Sequence, residues 1–289
     1  MPSVSPMSSS ASEQPVGYGT VAMLESTFGM RQLPFGRSLA PSDLFHSTEF
    51  DELQARLSFT VHQRGFALVS GEIGAGKSTA LRSFASTLDP MRHPLVYIAD
   101  SALRPREFYR LVLEHLGVTP AHAQSGARKQ FEATMLDLSQ HQGKNPVLII
   151  DEGQELSALM LQELRYILNL GFDAPDCFTL ILSGQPELRG MLRLKAFEAL
   201  AQRVSVRFHL HGLTPQEVPS YLHHHLRVVG ADKPLFTESA IDLLRSHSRC
   251  LPRPLGHLAL QALLDTAHNR RDFVEDTNVR RAIAELDNA

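Results

Sequence analysis

A nine-residue stretch, Gly71-Glu72-Ile73-Gly74-Ala75-Gly76-Lys77-Ser78-Thr79, constrains this chain more than any other feature. It fits G-x-x-x-x-G-K-[ST] without a mismatch. The preceding Phe66-Ala67-Leu68-Val69 reads as a buried strand, and Thr79 to Ala85 has helical spacing. Strand, glycine loop and helix in this order aim backbone amides at an anion on the helix N-terminus. Gly71 and Gly76 let the backbone fold around that anion, with Glu72, Ile73, Gly74, Ala75 and Thr79 completing the cradle. Lys77 is placed to reach β- and γ-phosphates, and Ser78 to ligate Mg²⁺. The expected ligands are ATP and Mg²⁺.

Around this loop the chain alternates. A helix is predicted from about Ser47 to Gln63, with Phe50, Leu53, Leu57 and Val61 on one face. Five strands are predicted at Phe66–Ser70, Pro94–Ala99, Pro146–Ile150, Phe178–Ser183 and Val204–Leu210, with helical segments between them. That alternation gives an α/β fold: a parallel sheet with helices on both faces. From Thr214 the strand signals stop. Thr214-Pro215-Gln216-Glu217 reads as a capped helix start, and amphipathic segments follow through Leu222–Leu226, Ala240–Leu244, Leu255–Leu264 and Val279–Ile283. The expected organisation is a disordered Ser/Pro-rich tail at 1–27, an arm and helix at 28–63, an ATPase core at 64–212 and a small all-α domain at 213–289.

Composition narrows the class. A hydrophobic content of 43% is ordinary for a globular chain, and no apolar run approaches the roughly 20 residues that span a bilayer. The N-terminus lacks the basic start and apolar centre of a secretory signal. Cys177 and Cys250 are isolated, which fits a reducing compartment and a cytoplasmic location. The net charge of -3 argues against a uniformly basic coat without excluding a local basic patch. His223-His224-His225 stand on consecutive helical positions and face different directions, so a solvated face is expected there rather than a metal centre.

Val147-Leu148-Ile149-Ile150-Asp151-Glu152 sets two carboxylates at the end of a buried strand. In company with the glycine loop, Asp151 is placed to hold Mg²⁺ and Glu152 to act as general base toward water. Nothing in the chain reads as a second-substrate pocket, which favours a hydrolase. The fourth strand ends Leu182-Ser183-Gly184-Gln185, where Ser183 and Gln185 are both candidates to sense the γ-phosphate. Arg203, before the fifth strand, and Arg253, in Leu251-Pro252-Arg253-Pro254-Leu255, are candidates to stabilise charge during phosphoryl transfer.

On these residues the chain resembles AAA+ ATPases of the ExeA/GspA kind, from about Phe28 to Ile283. The matching elements are Phe28-Gly29 with Pro34-Phe35, the Gly71–Thr79 loop, Asp151-Glu152-Gly153-Gln154-Glu155-Leu156 and Leu164-Arg165 with Leu168-Asn169-Leu170. They continue through Gly184-Gln185-Pro186-Glu187-Leu188, Leu200-Ala201-Gln202-Arg203-Val204 and Pro252-Arg253. The resemblance implies an AAA+ P-loop NTPase with a five-stranded parallel sheet ordered 5-1-4-3-2, a helical lid, and ATP held between subunits. It implies Arg203 as the finger toward a neighbour's ATP and Arg253 as the lid's sensor. Two departures are Gly153, where many relatives carry Ala, and Cys250-Leu251, where relatives often carry Gly; neither is expected to touch the chemistry.

Secretion-type members of this group continue past the ATPase into a membrane span and a wall-binding region, whereas this chain stops at Ala289. That favours the other group, stand-alone helpers of transposition such as TnsC, the phage Mu helper and IstB. The resemblance then implies ATP-driven rings or helical filaments of the chain itself on duplex DNA, recruitment of a transposase, and no membrane. Such a surface would contact phosphates without reading sequence, and Arg104, Arg106, Arg128 and Lys129 are its candidates. Secretion-apparatus assembly is the alternative. A nucleotide-switched adaptor tethered through Pro2–Pro15 is a third reading.

Overall fold

The computed structural model describes residues 16–36, 39–99, 103–169 and 177–287. Ser101, Leu170 and the proposed Pro2–Pro15 tether lie outside them.

The five strands are β1 (Phe66–Gly71), β2 (Leu95–Ile98), β3 (Val147–Ile150), β4 (Thr179–Gly184) and β5 (Val206–Leu210). They form one parallel sheet in the order β2-β3-β4-β1-β5, the expected 5-1-4-3-2 read from the other edge. β1 lies between β4 and β5, with Phe66 opposite Leu180 and Ala67 opposite Val206. Every residue of β1, β3 and β4 is buried, as a sheet covered on both faces requires.

Successive side chains on a strand point to opposite faces, and the sequence supplies apolar residues for both. Phe66, Leu68, Leu148, Ile150, Leu180 and Leu182 pack with Phe108 and Val112 of α4 (Pro105–His115), Phe131 and Met135 of α5 (Gln124–Leu136) and Leu161 and Leu164 of α6 (Ala158–Ile167). Ala67, Val69, Val147, Ile149 and Ile181 pack instead with Leu53, Leu57 and Val61 of α2 (Thr48–His62) and Leu81 and Phe84 of α3 (Lys77–Thr87). Ser47 caps α2, its hydroxyl accepting from Phe50 N–H at 3.2 Å. Two short helices, α7 (Pro186–Leu192) and α8 (Glu198–Ala201), link β4 to β5.

The chain divides into two compact units. One holds Ala40–Thr214 with Leu251–Arg253, and the other holds the residues up to Leu39, Pro215–Cys250 and Pro254 onward. The second unit contains α1 (Val16–Phe28), α9 (Val218–Val228), α10 (Glu238–Ser248), most of α11 (Pro252–His268) and α12 (Asp276–Asp287).

Three expectations need correction here. The tail predicted to be disordered through 27 is helical from Val16, because Val21, Ala22, Met23 and Leu24 supply apolar surface and Leu24 is fully buried. The helix predicted to begin at Thr214-Pro215 begins at Val218 instead. Starting there sets Pro219 in the first helical turn, where its missing N–H and its ring cost nothing. Finally, the histidine run is not a wholly solvated face. His225 is buried, with its ring centroid 5.2 Å from Phe35 and 4.4 Å from Tyr221. Phe35 itself fits because Gly256 carries no side chain: a Cβ there would lie 2.9 Å from Phe35 Cβ.

Candidate active site

The loop after β1 takes the conformation its glycines permit. Gly74 and Gly76 are left-handed at φ +85° and +103°. At Gly71 a Cβ would stand 2.4 Å from the Leu210 carbonyl oxygen, so the backbone of β5 sets that position as glycine. Ala80 N–H closes the first turn of α3 on Gly76 O at 2.9 Å. The N–H groups of Lys77, Ser78 and Thr79 precede that bond, as the opening residues of any helix do, and face the loop.

Lys77 is buried, and its ammonium donates to Gly71 O at 2.7 Å and Glu72 O at 3.0 Å. Burial lowers its pKa, opposed by the charges of Glu152, Asp151 and Glu72. The same cation therefore senses both strand-end carboxylates. Arg253 N–H donates to Gly74 O at 3.1 Å, and its charge also bears on Lys77.

Asp151 is 4% exposed and held on both oxygens. Tyr97 of β2 donates to Oδ2 at 2.9 Å, and Glu152 N–H donates to Oδ1 at 3.0 Å. Burial, followed by the Asp151 charge and hydrogen bond, raises the Tyr97 hydroxyl pKa. Glu152 is left-handed at φ +51°, a conformation a non-glycine residue adopts at a cost and one that clusters at functional sites. Its carboxylate accepts from Gln154 Nε2 at 2.7 Å.

At the end of β4, Ser183 is fully buried and its hydroxyl has no hydrogen-bond partner among the described residues. It pairs with Val69 of β1 and shares a sheet face with Ile181, the face that α3 covers. Gln185 is engaged through its backbone, its N–H donating to Gln154 Oε1 at 2.9 Å. The structure thus gathers the loop, Asp151, Glu152, Ser183 and Arg253 around the carboxyl ends of the central strands.

Arg203 stands apart from this cluster's hydrogen bonds. Its guanidinium is exposed and donates to Leu168 O at 2.6 Å and to the Asn169 side chain. Of the four candidate phosphate contacts, Arg104, Arg106 and Lys129 are exposed. Arg128 is not a free cation: it donates to Glu132 at 3.1 Å, lies 3.7 Å from Glu163 and sits over the Tyr166 ring. Its spacing to Glu132 was visible in the sequence, but the approach of α6 was not.

The residues present suit a nucleotide with Mg²⁺. Gly74 and Gly76 hold the left-handed turns of the loop, Ser183 offers a hydroxyl unpartnered among the described residues, and Ser78 and Asp151 are the hard oxygen donors Mg²⁺ prefers. Among the described residues there is no cluster of three or more His, Cys, Asp or Glu side chains that could hold a metal.

Tyr97 and Gln154 are the site residues that sequence reasoning missed. Tyr97 is a lone hydroxyl in an otherwise apolar strand, and the signal was its place beside the Asp151 strand. Gln154 was visible as part of a matching element without a role. Gly153, expected to be remote from the chemistry, lies between Glu152 and Gln154, where a Cβ would meet Leu182 Cδ1 at 2.7 Å and Ser183 O at 3.1 Å.

Residues 60–192 match the family model "AAA domain". The chain is 32% identical over 245 residues to General secretion pathway protein A of Aeromonas hydrophila, a match covering 84% of this chain and 44% of that protein. It therefore spans less than half the length of that relative. Among solved structures, Cdc6p from Pyrobaculum aerophilum is similar with a TM-score of 0.63 at 12% identity, over 87% of this chain and 70% of that one. Drosophila ORC bound to DNA is similar with a TM-score of 0.65 at 16% identity, over 98% of this chain and 70% of that one. Among the described residues no helix is long and apolar enough to cross a membrane. The strand order, the match across the loop-bearing core and the likeness to these structures agree, and the chain has the AAA+ P-loop NTPase fold.

Proposed function

We propose that this chain hydrolyses ATP and serves a protein-secretion apparatus as an ExeA/GspA-like AAA+ ATPase. The 32% identity over 245 residues to a secretion protein carries this reading. The expectation of a transposition helper recruiting a transposase drew on the short architecture, and the match to a secretion protein supports the alternative better. Secretion therefore takes first place.

In the mechanism we infer, bound Mg²⁺ would neutralise charge on the β- and γ-phosphates. Lys77 exchanges the Gly71 and Glu72 carbonyls for phosphate oxygens. Ser78 and Asp151 would hold the metal, with Tyr97 fixing the Asp151 carboxylate. Glu152 takes the proton of the attacking water. Ser183, with its unpartnered hydroxyl inside the α3 face, is the better candidate than Gln185 to meet the γ-phosphate. Arg253 stands beside the loop, and Arg203 completes a neighbouring copy's site.

A second reading, assembly on duplex DNA, is favoured by one observation. Arg104, Arg106 and Arg110, with Glu107, line an open groove of about 400 Å³ at the head of α4. Contacts of this kind are independent of sequence and weaken with salt.

Two measurements separate the readings. A strain carrying only the Lys77→Ala form should lose protein export if the secretion reading holds, and normal export would overturn it. Imaging with a nonhydrolysable ATP analogue, with and without duplex DNA, should give assemblies that ignore DNA. Filaments that form only on DNA would shift the assignment to the second reading.

A further inference from the structure

Gln154 lies in a 3-10 turn, Gly153–Glu155, between the end of β3 and α6. Its Oε1 accepts the Gln185 N–H at 2.9 Å, and its Nε2 donates to Glu152 Oε2 at 2.7 Å. A backbone N–H can only donate, so the amide orientation is fixed: oxygen toward Gln185, NH₂ toward Glu152. One side chain thus bridges the ends of two strands and presents a donor to the carboxylate.

Two glycines leave room for this bridge. A Cβ on Gly184 would stand 2.7 Å from Gln154 Oε1 and 3.2 Å from its backbone nitrogen. A Cβ on Gly153 would press on Leu182 and on the Ser183 carbonyl. The left-handed backbone of Glu152 adds to the cost of holding this arrangement. Costly geometry on both sides of one hydrogen-bonded amide is more than a surface glutamine needs.

Resting on the ATPase reading above, we propose that Gln154 is a positioning residue: it holds the Glu152 carboxylate as a hydrogen-bond acceptor and couples it to the end of β4, so that displacement at Ser183–Gln185 is transmitted to the base. The coupling gives the candidate γ-phosphate contact a route to the group that activates water, through two hydrogen bonds and no moving loop. Lys77 and the Tyr97 hydroxyl also lie within the electrostatic reach of Glu152.

The test uses two variants of the full chain. Gln154→Leu removes both bonds at similar volume. Gln154→Glu keeps an acceptor for Gln185 N–H but sets a carboxylate against Glu152, and two such groups resist joint ionisation. The first readout is binding of a fluorescent ATP analogue, which both folded variants should retain. The second is steady-state hydrolysis, in which Gln154→Leu should lower kcat on the order of tenfold or more with KM little changed. A wild-type kcat in both folded variants overturns the proposal even if the wild type hydrolyses ATP. Hydrolysis that is unaffected by Glu152→Gln overturns the assignment of the base, and this role with it.

Discussion

The Tyr97 hydroxyl donates to Asp151 Oδ2 at 2.9 Å, joining β2 to β3 at the point where the proposed metal-binding carboxylate leaves the sheet. With Glu152 N–H on the other oxygen, Asp151 is oriented before any ligand arrives. Partners of this kind commonly set metal affinity from behind the ligand. Tyr97→Phe should raise the Mg²⁺ concentration for half-maximal ATPase activity by roughly tenfold or more. The free energy of unfolding should fall by only about 1.5–3 kcal/mol, the cost of one lost bond to a charged group. Mg²⁺ titrations of activity beside urea unfolding would check both, and an unchanged Mg²⁺ dependence would reduce Tyr97 to a packing role.

Glu152 and Arg203 should fail in different ways. Glu152→Gln should lower hydrolysis by at least about a hundredfold while nucleotide still binds and assemblies persist. Arg203→Ala should also lower hydrolysis with binding intact, since the guanidinium makes its hydrogen bonds to Leu168 and Asn169 rather than to the loop. Mixing the two variants should restore part of the activity at hybrid interfaces if Arg203 acts on a neighbour. Mixed assemblies with no restored turnover would rule against that role.

The two departures from the family pattern should have opposite effects on stability. Arg249 and Cys250 are consecutive left-handed residues at φ +52° and +58°, a conformation that costs a side-chain-bearing residue about 1–2 kcal/mol. Cys250→Gly should therefore stabilise the chain, by about 0.5–1 kcal/mol after the added freedom of glycine in the unfolded state is deducted. Gly153→Ala should destabilise by about 1–3 kcal/mol, because its methyl meets buried Leu182 and the Ser183 carbonyl. Urea unfolding at matched pH would test both signs.

His225 gives the helical unit a pH dependence. Burial, with a smaller contribution from His224, holds its pKa down to about 4 against an ordinary value of 6.5. Between those values the unfolded chain binds the extra proton and the folded chain does not, so stability falls as pH drops from 6.5 toward 4. The loss from this group should total about 3 kcal/mol at pH 4. His225→Phe keeps an aromatic ring beside Phe35 and Tyr221 and should flatten that part of the profile. Unfolding free energies at several pH values would show it, and an unchanged slope in the variant would exclude His225 as its source.

Local pattern carried a large share of this protein. The glycine loop, the apolar strand before it and the two carboxylates after Ile150 are contiguous stretches whose chemistry does not depend on distant partners. Both sheet faces could be read from alternating residues such as Leu148 and Ile149, because a strand's side-chain period is a property of its own backbone.

Tertiary structure decided the rest, for a physical reason: a hydrogen bond or a buried ring needs a partner, and sequence spacing says nothing about which distant residue arrives. Tyr97 meets Asp151 from 54 positions away, and Gln154 meets Gln185 from 31. Arg128 becomes enclosed only when α6 brings Glu163 and Tyr166 beside it. His225 leaves solvent only when Phe35 lies over Gly256 and against its ring. The sequence by itself determined the phosphate loop and its sheet; the contacts that orient the carboxylates and bury the histidine came from elements meeting in space.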